Sequence, residues 1–223
     1  MEVTIRNPEF MARLNEISDE FFTHKDYANE KYWTFRQRED IERGEYFCSQ
    51  EYLDECRSRD KLVGPPDRYF GQPIAAMVRK EPEEWEPFKQ KVKFDFAKEI
   101  GAHTSALLTY YAPGGYVGWH TNWDANAYQV LFTWSDGNGY FRYWDNEKNE
   151  IVHIPDVKGW QCRHYYFGSE KEPEKLCWHS AYAGGERITL AYKFVNSGVA
   201  NNDTKDQQAK LMRDMLIEEI ESD

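Results

Sequence analysis

Two histidines are the first candidates for chemistry in this chain. His120 lies in the segment YYAPGGYVGWHTNWD, soon after a glycine-rich turn, and His179 lies much later, in CWHSAYAGGERITLAYKF. A mononuclear iron(II) site for oxygen chemistry commonly takes two imidazoles and one carboxylate on one face, and its opposite face stays open. Because strands distant in sequence can be neighbours in a β structure, His120 and His179 are candidate ligands of one metal ion.

Arg187 and Thr189 are candidates for binding an anion. Arg187 follows His179 by eight residues, and Thr189 lies two residues beyond Arg187. Arginine carries a planar, permanent charge that suits a carboxylate, and a strand places residues i and i+2 on the same face. Both side chains can therefore reach one carboxylate, such as the distal group of a 2-oxoglutarate molecule that chelates iron.

Helices are predicted on both sides of the segment that carries these residues. Residues 8–22 and 82–100 have apolar residues at helical spacing, and Gly101 suits the end of the second helix. The tail 203–222 is predicted to be an acidic amphipathic helix whose apolar side carries Leu211, Met215 and Ile220.

After Gly101, short β-rich runs alternate with turns. The predicted strands are SALLTYYA, YVGWH, AYQVLFTW, YFRYW, IVHIP, WQCRHYYF and RITLAYKFV, and SDGNG and DNEKNE read as hairpin turns. Strands at this spacing favour an antiparallel sandwich or barrel. Residues 23–80 are mixed in character, and 63–73 (VGPPDRYFGQP) is predicted to be a loop because of its prolines and glycines.

The order of these elements predicts one α+β domain over residues 1–223. Its parts are a mainly helical region at 1–101, a β core at 102–197 and the helix at 203–222. The helices are expected to buttress the β core.

The pattern around the histidines resembles a known superfamily. Tyr111 and Gly114 precede His120, the turn Gly137–Asn138–Gly139 and YFRYW follow, and His179 and Arg187-Ile188-Thr189 come last. In this order the residues resemble the 2-oxoglutarate- and iron(II)-dependent oxygenase superfamily, nearest in pattern to its prolyl-hydroxylase-like branch. The resemblance covers about residues 105–195.

The resemblance implies a fold, cofactors and residue roles. The core would be a double-stranded β-helix of jelly-roll or cupin type, with iron(II) held by His120 and His179. The co-substrate 2-oxoglutarate would be anchored by Arg187 and Thr189, with a hydrogen bond from Tyr111, and dioxygen would be consumed, with ascorbate as a possible reductant. The implied reaction is hydroxylation of an unidentified small-molecule, protein or peptide substrate, with demethylation or halogenation as variants.

The third iron ligand is where the sequence departs from the family pattern. The position two residues after His120 is Asn122, where the pattern has a carboxylate, and a carboxylate appears only at Asp124. Three readings stay open: Asp124 binds through a wider turn, Asn122 binds through its amide oxygen, or the position is vacant, as in related halogenases. The same departure supports a rival function, a non-catalytic jelly-roll binding module with a degenerate site.

Composition limits the partners and the compartment. The formal net charge is −11, so nucleic acid is not expected as a partner. No signal-peptide pattern or bilayer-spanning apolar run is present, and the four cysteines form no Cys-x-x-Cys pair, so we expect a cytoplasmic protein with reduced thiols. A zinc site is a weaker alternative, since its spacing matches no standard zinc knuckle; it would use Cys162, His164, Cys177 and His179. Oligomeric state is left open.

Overall fold

The computed structural model describes residues 1–35, 42–59, 64, 66–75, 83–122, 126–194 and 203–223. Its strands are β1 (Glu2–Val3), β2 (Thr34–Phe35), β3 (Tyr69–Pro73), β4 (Thr104–Tyr111), β5 (Gly115–His120), β6 (Ala127–Ser135), β7 (Gly139–Asp145), β8 (Glu150–Pro155), β9 (Gly159–Phe167), β10 (His179–Ala183) and β11 (Arg187–Lys193). Its α-helices are α1 (Pro8–Thr23), α2 (Gly44–Phe47), α3 (Gln50–Arg57), α4 (Glu86–Gln90), α5 (Phe96–Glu99) and α6 (Asp203–Glu221). A π-helical turn at Lys91–Asp95 joins α4 to α5, so the predicted helix at 82–100 is continuous from Glu86 to Glu99.

Strands β4 to β11 form two antiparallel sheets. The major sheet has the order β9-β6-β11-β4, and the minor sheet has the order β5-β10-β7-β8. The chain changes sheet at every step except between β7 and β8, which form a hairpin. This alternation is the strand order of a double-stranded β-helix, so the predicted α+β fold with a jelly-roll core is confirmed.

Strand β3 connects the two sheets, and it corrects one prediction. Gln72 pairs with Tyr110 of the major sheet, and Phe70 pairs with Tyr116 of the minor sheet. The loop predicted at 63–73 is therefore wrong for Tyr69–Pro73, which form a strand. Pro73 is compatible with pairing because it stands at the strand end, where no amide donor is required.

The two turns predicted to close hairpins have different outcomes. DNEKNE does close the β7–β8 hairpin, in which Asp145 pairs with Glu150. SDGNG does not, because β6 pairs with β9 and β11 of the major sheet whereas β7 belongs to the minor sheet. The local turn signal was correct, but the turn carries the chain across the sandwich.

Helices α1, α4, α5 and α6 cover the outer face of the major sheet. Alternate residues of β11 divide between the two sides: Ile188, Leu190 and Tyr192 lie in the core beneath the helices. Phe132 of β6 is fully buried there, and its ring centroid lies 5.4 Å from that of Phe10 and 5.7 Å from that of Phe96. The odd-numbered residues of β11 are left for the interior of the sandwich.

Replacing Phe132 with alanine is expected to lower the free energy of unfolding by about 3–5 kcal/mol, because it leaves a cavity where two helices meet the sheet. Urea denaturation measures this change. Phe94→Ala is the matched control: Phe94 is 51% exposed, so about 0.5 kcal/mol or less is expected. Equal losses in both variants would contradict the packing described.

Helix α6 has the predicted extent but not the predicted buried side. Leu211 and Met215 are 59% and 60% exposed, so they were wrongly assigned, whereas Ile220 is fully buried. The side toward the sheet instead carries Ala209, Arg213, Leu216 and Ile220. These residues keep helical spacing, and Arg213 is accommodated because its guanidinium lies 4.8 Å from the Tyr128 ring.

Across the parts of the chain that the structure describes, no helix combines the length and apolar character that crossing a membrane requires.

On the outer face of the minor sheet, α2 and α3 pack against Trp119, Trp144 and Trp178. The Trp119 indole donates a hydrogen bond to the Ser49 carbonyl at 2.8 Å, which ties the end of β5 to these helices. Trp119 and Trp178 each precede a candidate metal ligand. Their burial therefore fixes the backbone from which His120 and His179 project.

Candidate metal centre

His120 and His179 lie side by side. His120 ends β5, His179 begins β10, and the two residues are cross-strand partners in the minor sheet. Their ring centroids are 4.1 Å apart, with an angle of 51° between the ring planes. The structure thus brings together two imidazoles that are 59 residues apart in the sequence (179 − 120).

Both imidazoles have the same tautomer, which their backbone partners impose. The Nδ1 atom of His120 lies 2.9 Å from the Gly118 carbonyl oxygen, and that of His179 lies 2.9 Å from the Cys177 carbonyl oxygen. Because a carbonyl can only accept, each Nδ1 carries the hydrogen and each neutral ring keeps its lone pair on Nε2. A hydrogen bond of this kind commonly orients a metal-ligating histidine.

Burial keeps both rings neutral. It lowers the pKa of His120 to about 4. It also lowers the pKa of His179 well below the ordinary value, with a smaller contribution from the neighbouring His120. Both Nε2 lone pairs are therefore available at neutral pH.

The histidines line a cavity of about 380 Å³ between the two sheets. Six of the seven predicted site residues line it: His120, His179, Asn122, Tyr111, Arg187 and Thr189. The seventh, Asp124, lies outside the described residues. Sequence order therefore predicted a set of side chains that the fold does collect in one place.

The described donors for a metal ion are two imidazoles and one amide. Asn122 is half-buried and follows His120 by two residues along the cavity wall. Among the residues described, no three His, Cys, Asp or Glu side chains form a group that could hold a metal ion. The zinc alternative fails on this count: Cys162 lies in the core under the helices, and His164 lies 3.4 Å from the Arg213 guanidinium.

Arg187 is held at one end of the cavity by a buried ion pair. It is only 3% exposed, and its Nε donates to a carboxylate oxygen of Asp156 at 2.9 Å. Its Nη1 donates to the Thr189 hydroxyl at 2.5 Å, as expected for neighbours on one strand face. The same Asp156 carboxylate lies 3.6 Å from the Arg163 guanidinium. Two buried guanidiniums thus share the buried Asp156 carboxylate, and the exposed Glu2 carboxylate lies 3.7 Å from Arg163 as a second anion.

Tyr111 completes this end of the cavity. Its ring lies 5.7 Å from the Arg187 guanidinium carbon. Its hydroxyl is buried and has no hydrogen-bond partner of good geometry among the described residues. A buried hydroxyl without a partner costs about 1–3 kcal/mol. A carboxylate bound by Arg187 and Thr189 would supply that partner, so these residues fit the distal end of 2-oxoglutarate.

Sequence reasoning missed Asp156. It follows β8 and reaches Arg187 only through the crossing of the two sheets, so no local pattern reports it. The one local sequence feature related to Asp156 is the last glycine of the turn SDGNG, Gly139. A Cβ atom at Gly139 would lie 2.7 Å from the Asp156 carboxylate and 2.8 Å from the Tyr182 carbonyl oxygen. Gly139 leaves the space that this carboxylate occupies.

Replacing Asp156 with asparagine is expected to lower the free energy of unfolding by about 3–5 kcal/mol, because two buried guanidiniums lose their shared anion. Chemical denaturation checks this. Glu147→Gln, at an exposed turn, serves as the control and should change stability by about 0.5 kcal/mol or less. A loss for Asp156→Asn as small as that of the control would show that the buried ion pair does not hold Arg187.

Comparison with known proteins gives matches among solved structures alone. No family model matches the chain, and no curated protein matches it. Among solved structures, a prolyl-4-hydroxylase from Pseudomonas putida has 16% identity and a TM-score of 0.31, with 81% of this chain and 98% of that chain covered. A ribosomal oxygenase from Escherichia coli has 13% identity and a TM-score of 0.31; the match covers 77% of this chain and 59% of that chain. The fold assignment stands on the strand order and registers given above.

Proposed function

We propose that this chain is an iron(II)- and 2-oxoglutarate-dependent oxygenase that hydroxylates a substrate carbon. The observation that carries the proposal is the pair of buried, neutral imidazoles whose Nε2 lone pairs are left for a metal, in one cavity with Arg187. Imidazole suits iron(II), and a site of two histidines and one oxygen ligand leaves positions open for co-substrate and dioxygen.

Each residue has a defined task in this proposal. His120 and His179 hold the iron, with either Asn122 or Asp124 as the third ligand. Arg187, Thr189 and Tyr111 bind the distal carboxylate of 2-oxoglutarate, and Asp156 orients Arg187. Bound iron(II) would supply the oxidation, in which 2-oxoglutarate gives succinate and carbon dioxide while one oxygen atom of dioxygen enters the substrate C–H bond.

The chain also shields the site from water. Phe167 and Phe141 line the cavity, and their ring centroids lie 4.6 Å and 6.1 Å from that of His179. Val117 and Ala181 of the minor sheet add apolar surface. An apolar wall beside the ligands limits competing reactions with solvent.

The direct test is succinate release from 2-oxoglutarate with iron(II) and ascorbate, preceded by an anaerobic spectrum. We expect a weak visible charge-transfer band when both iron(II) and 2-oxoglutarate are present, and then succinate formation on admission of oxygen. Absence of both the band and the product would reject the oxygenase.

One observation favours a second candidate, a non-catalytic jelly-roll binding module. Asn122, which follows His120 by two residues and lines the cavity, carries a neutral amide, which should hold iron(II) more weakly than a carboxylate. For this candidate, the same anaerobic titration should give no band, while small anions still bind at Arg187. For either function we propose a cytoplasmic protein of one domain, with a small-molecule or peptide partner and no nucleic-acid partner.

A further inference from the structure

A second polar group lies on the inner face of the major sheet, away from Arg187, and two of its members, Lys193 and Gln129, line the cavity. Lys193, at the last position of β11, pairs with Gln129 of β6, and Gln129 pairs with Tyr165 of β9. These three residues, the polar row, are cross-strand neighbours on the inner face of the major sheet. Arg187 begins the same strand six residues earlier, which corresponds to about 20 Å of strand. The polar row and Arg187 therefore occupy opposite ends of the sheet interior.

The polar row lies on the side of the cavity where the chain leaves His120. Only residues 121–126 separate the end of β5 from the start of β6, and Gln129 is the third residue of β6. Tyr165 contacts Phe141 and Phe167, with ring centroids 5.2 Å and 5.7 Å apart. Because Phe167 also contacts His179, the polar row is joined to the metal ligands by one layer of aromatic side chains.

Two members of the polar row carry buried polar atoms without a partner. Gln129 is only 4% exposed and lines the cavity, and its Nε2 finds no acceptor among the described residues. The Tyr165 hydroxyl is likewise buried and unpartnered within the described structure. Burial raises the pKa of Tyr165, so its hydroxyl stays protonated and can donate. Each unmet donor is unfavourable in the free protein, and a bound acceptor would satisfy it.

The charges around the cavity indicate which acceptor. The chain has a net charge of −11, yet the described residues that line the cavity include Arg187 and Lys193 and no aspartate or glutamate. If 2-oxoglutarate binds at Arg187, its distal carboxylate pairs with that cation. Lys193, which also has a contact of its own, brings positive charge near the two neutral donors. A carboxylate can accept several hydrogen bonds at once, so it can satisfy both donors.

We propose that the polar row of Lys193, Gln129 and Tyr165 binds the carboxylate of a small organic acid, which is the substrate that the iron centre oxidises. This rests on the proposed function for the role of the ligand as substrate. A cavity of about 380 Å³ is at the small end for a ligand site, which suits an acid of a few carbons beside the co-substrate. A carbon of the acid then lies between its own carboxylate and the histidine pair.

The test uses the full chain with manganese(II) and saturating 2-oxoglutarate under anaerobic conditions, so that no turnover occurs. The probes are straight-chain carboxylates of four to six carbons and the apolar L-amino acids. Primary alcohols and amines of the same chain lengths are the controls. Ligand-observed NMR gives the dissociation constants. We expect at least one carboxylate to bind while the controls do not, and each of Gln129→Leu and Tyr165→Phe to weaken it roughly tenfold or more.

Tyr140→Phe is the matched control, because Tyr140 lies on β7 against Tyr182 and does not line the cavity; it should leave binding unchanged. Manganese and 2-oxoglutarate affinities are measured on every variant and should not change. Equal carboxylate affinity in wild type and in both row variants would overturn the proposal, as would a panel in which no carboxylate binds. If the wild-type protein binds neither manganese nor 2-oxoglutarate, the proposed oxygenase function is wrong. The carboxylate titrations are then repeated without metal and co-substrate, and they still decide whether the polar row binds carboxylates.

Discussion

Replacing His179 with alanine is expected to reduce iron(II) or manganese(II) affinity by more than about 100-fold and to abolish succinate release. Loss of a side chain that only hydrogen-bonds to a metal ligand commonly costs about 10- to 100-fold in metal affinity, and loss of the ligand itself should cost more. The variant removes one of the two Nε2 donors, and His120 with the proposed third ligand, Asn122 or Asp124, should hold the ion only weakly. Anaerobic metal titration and the succinate assay measure the two effects.

His103→Ala is the control for this variant, because His103 is exposed and lies outside the cavity. Circular dichroism and the melting temperature should show that both variants fold. If His179→Ala kept its metal affinity and succinate release within about twofold of wild type, His179 would not be a ligand. A structural role alone would move the melting temperature and leave the metal affinity of the folded protein intact.

Replacing Arg187 with methionine is expected to weaken 2-oxoglutarate binding by roughly 30- to 700-fold, or about 2–4 kcal/mol, because a buried charged partner is lost. Metal binding should be retained, since the histidines keep their backbone hydrogen bonds. Isothermal titration with 2-oxoglutarate on the manganese-loaded protein measures the change. The 2-oxoglutarate affinity of Arg187→Lys should lie between those of wild type and Arg187→Met, because lysine keeps the charge but cannot make the bidentate contact of arginine.

The control for Arg187→Met is Arg57→Met, an exposed arginine on α3 that lies 4.3 Å from the Trp144 ring. It should leave 2-oxoglutarate affinity unchanged. Titrations are run well below the melting temperature, because Arg187→Met also deprives Asp156 of a partner. Unchanged 2-oxoglutarate affinity in folded Arg187→Met would place the co-substrate elsewhere.

The sequence was informative where a property is encoded locally. Each strand from β4 to β9 was recognisable from its own run of β-branched and aromatic residues, and so was β11. The positions of Arg187 and Thr189 on one face follow from strand periodicity alone. Gathering them with His120 and His179 required the superfamily resemblance, because the pairing of β5 with β10 is not encoded in either strand.

Properties that depend on distant contacts were not predictable. Strand β3 contains Gly71 and Pro73, which suggested a loop, and only its pairing with two sheets makes it a strand. Asp156 matters because of where the sandwich places Arg187. The buried side of α6 was predicted from the apolar character of Leu211 and Met215, whereas the side that packs against the sheet carries Arg213. The third metal ligand stays a prediction, with Asn122 at the cavity and Asp124 outside the described residues.

Strand β3 has a mechanical consequence for access to the metal centre. Because β3 pairs with both β4 and β5, backbone hydrogen bonds connect the two sheets along that side. Parting the sheets there would break backbone pairings in both directions. The opposite edges, β8 in the minor sheet and β1 beside β9 in the major sheet, share no such strand among the described elements. The sandwich therefore has one fixed side and one compliant side, and ligand exchange that requires the sheets to separate should occur away from β3.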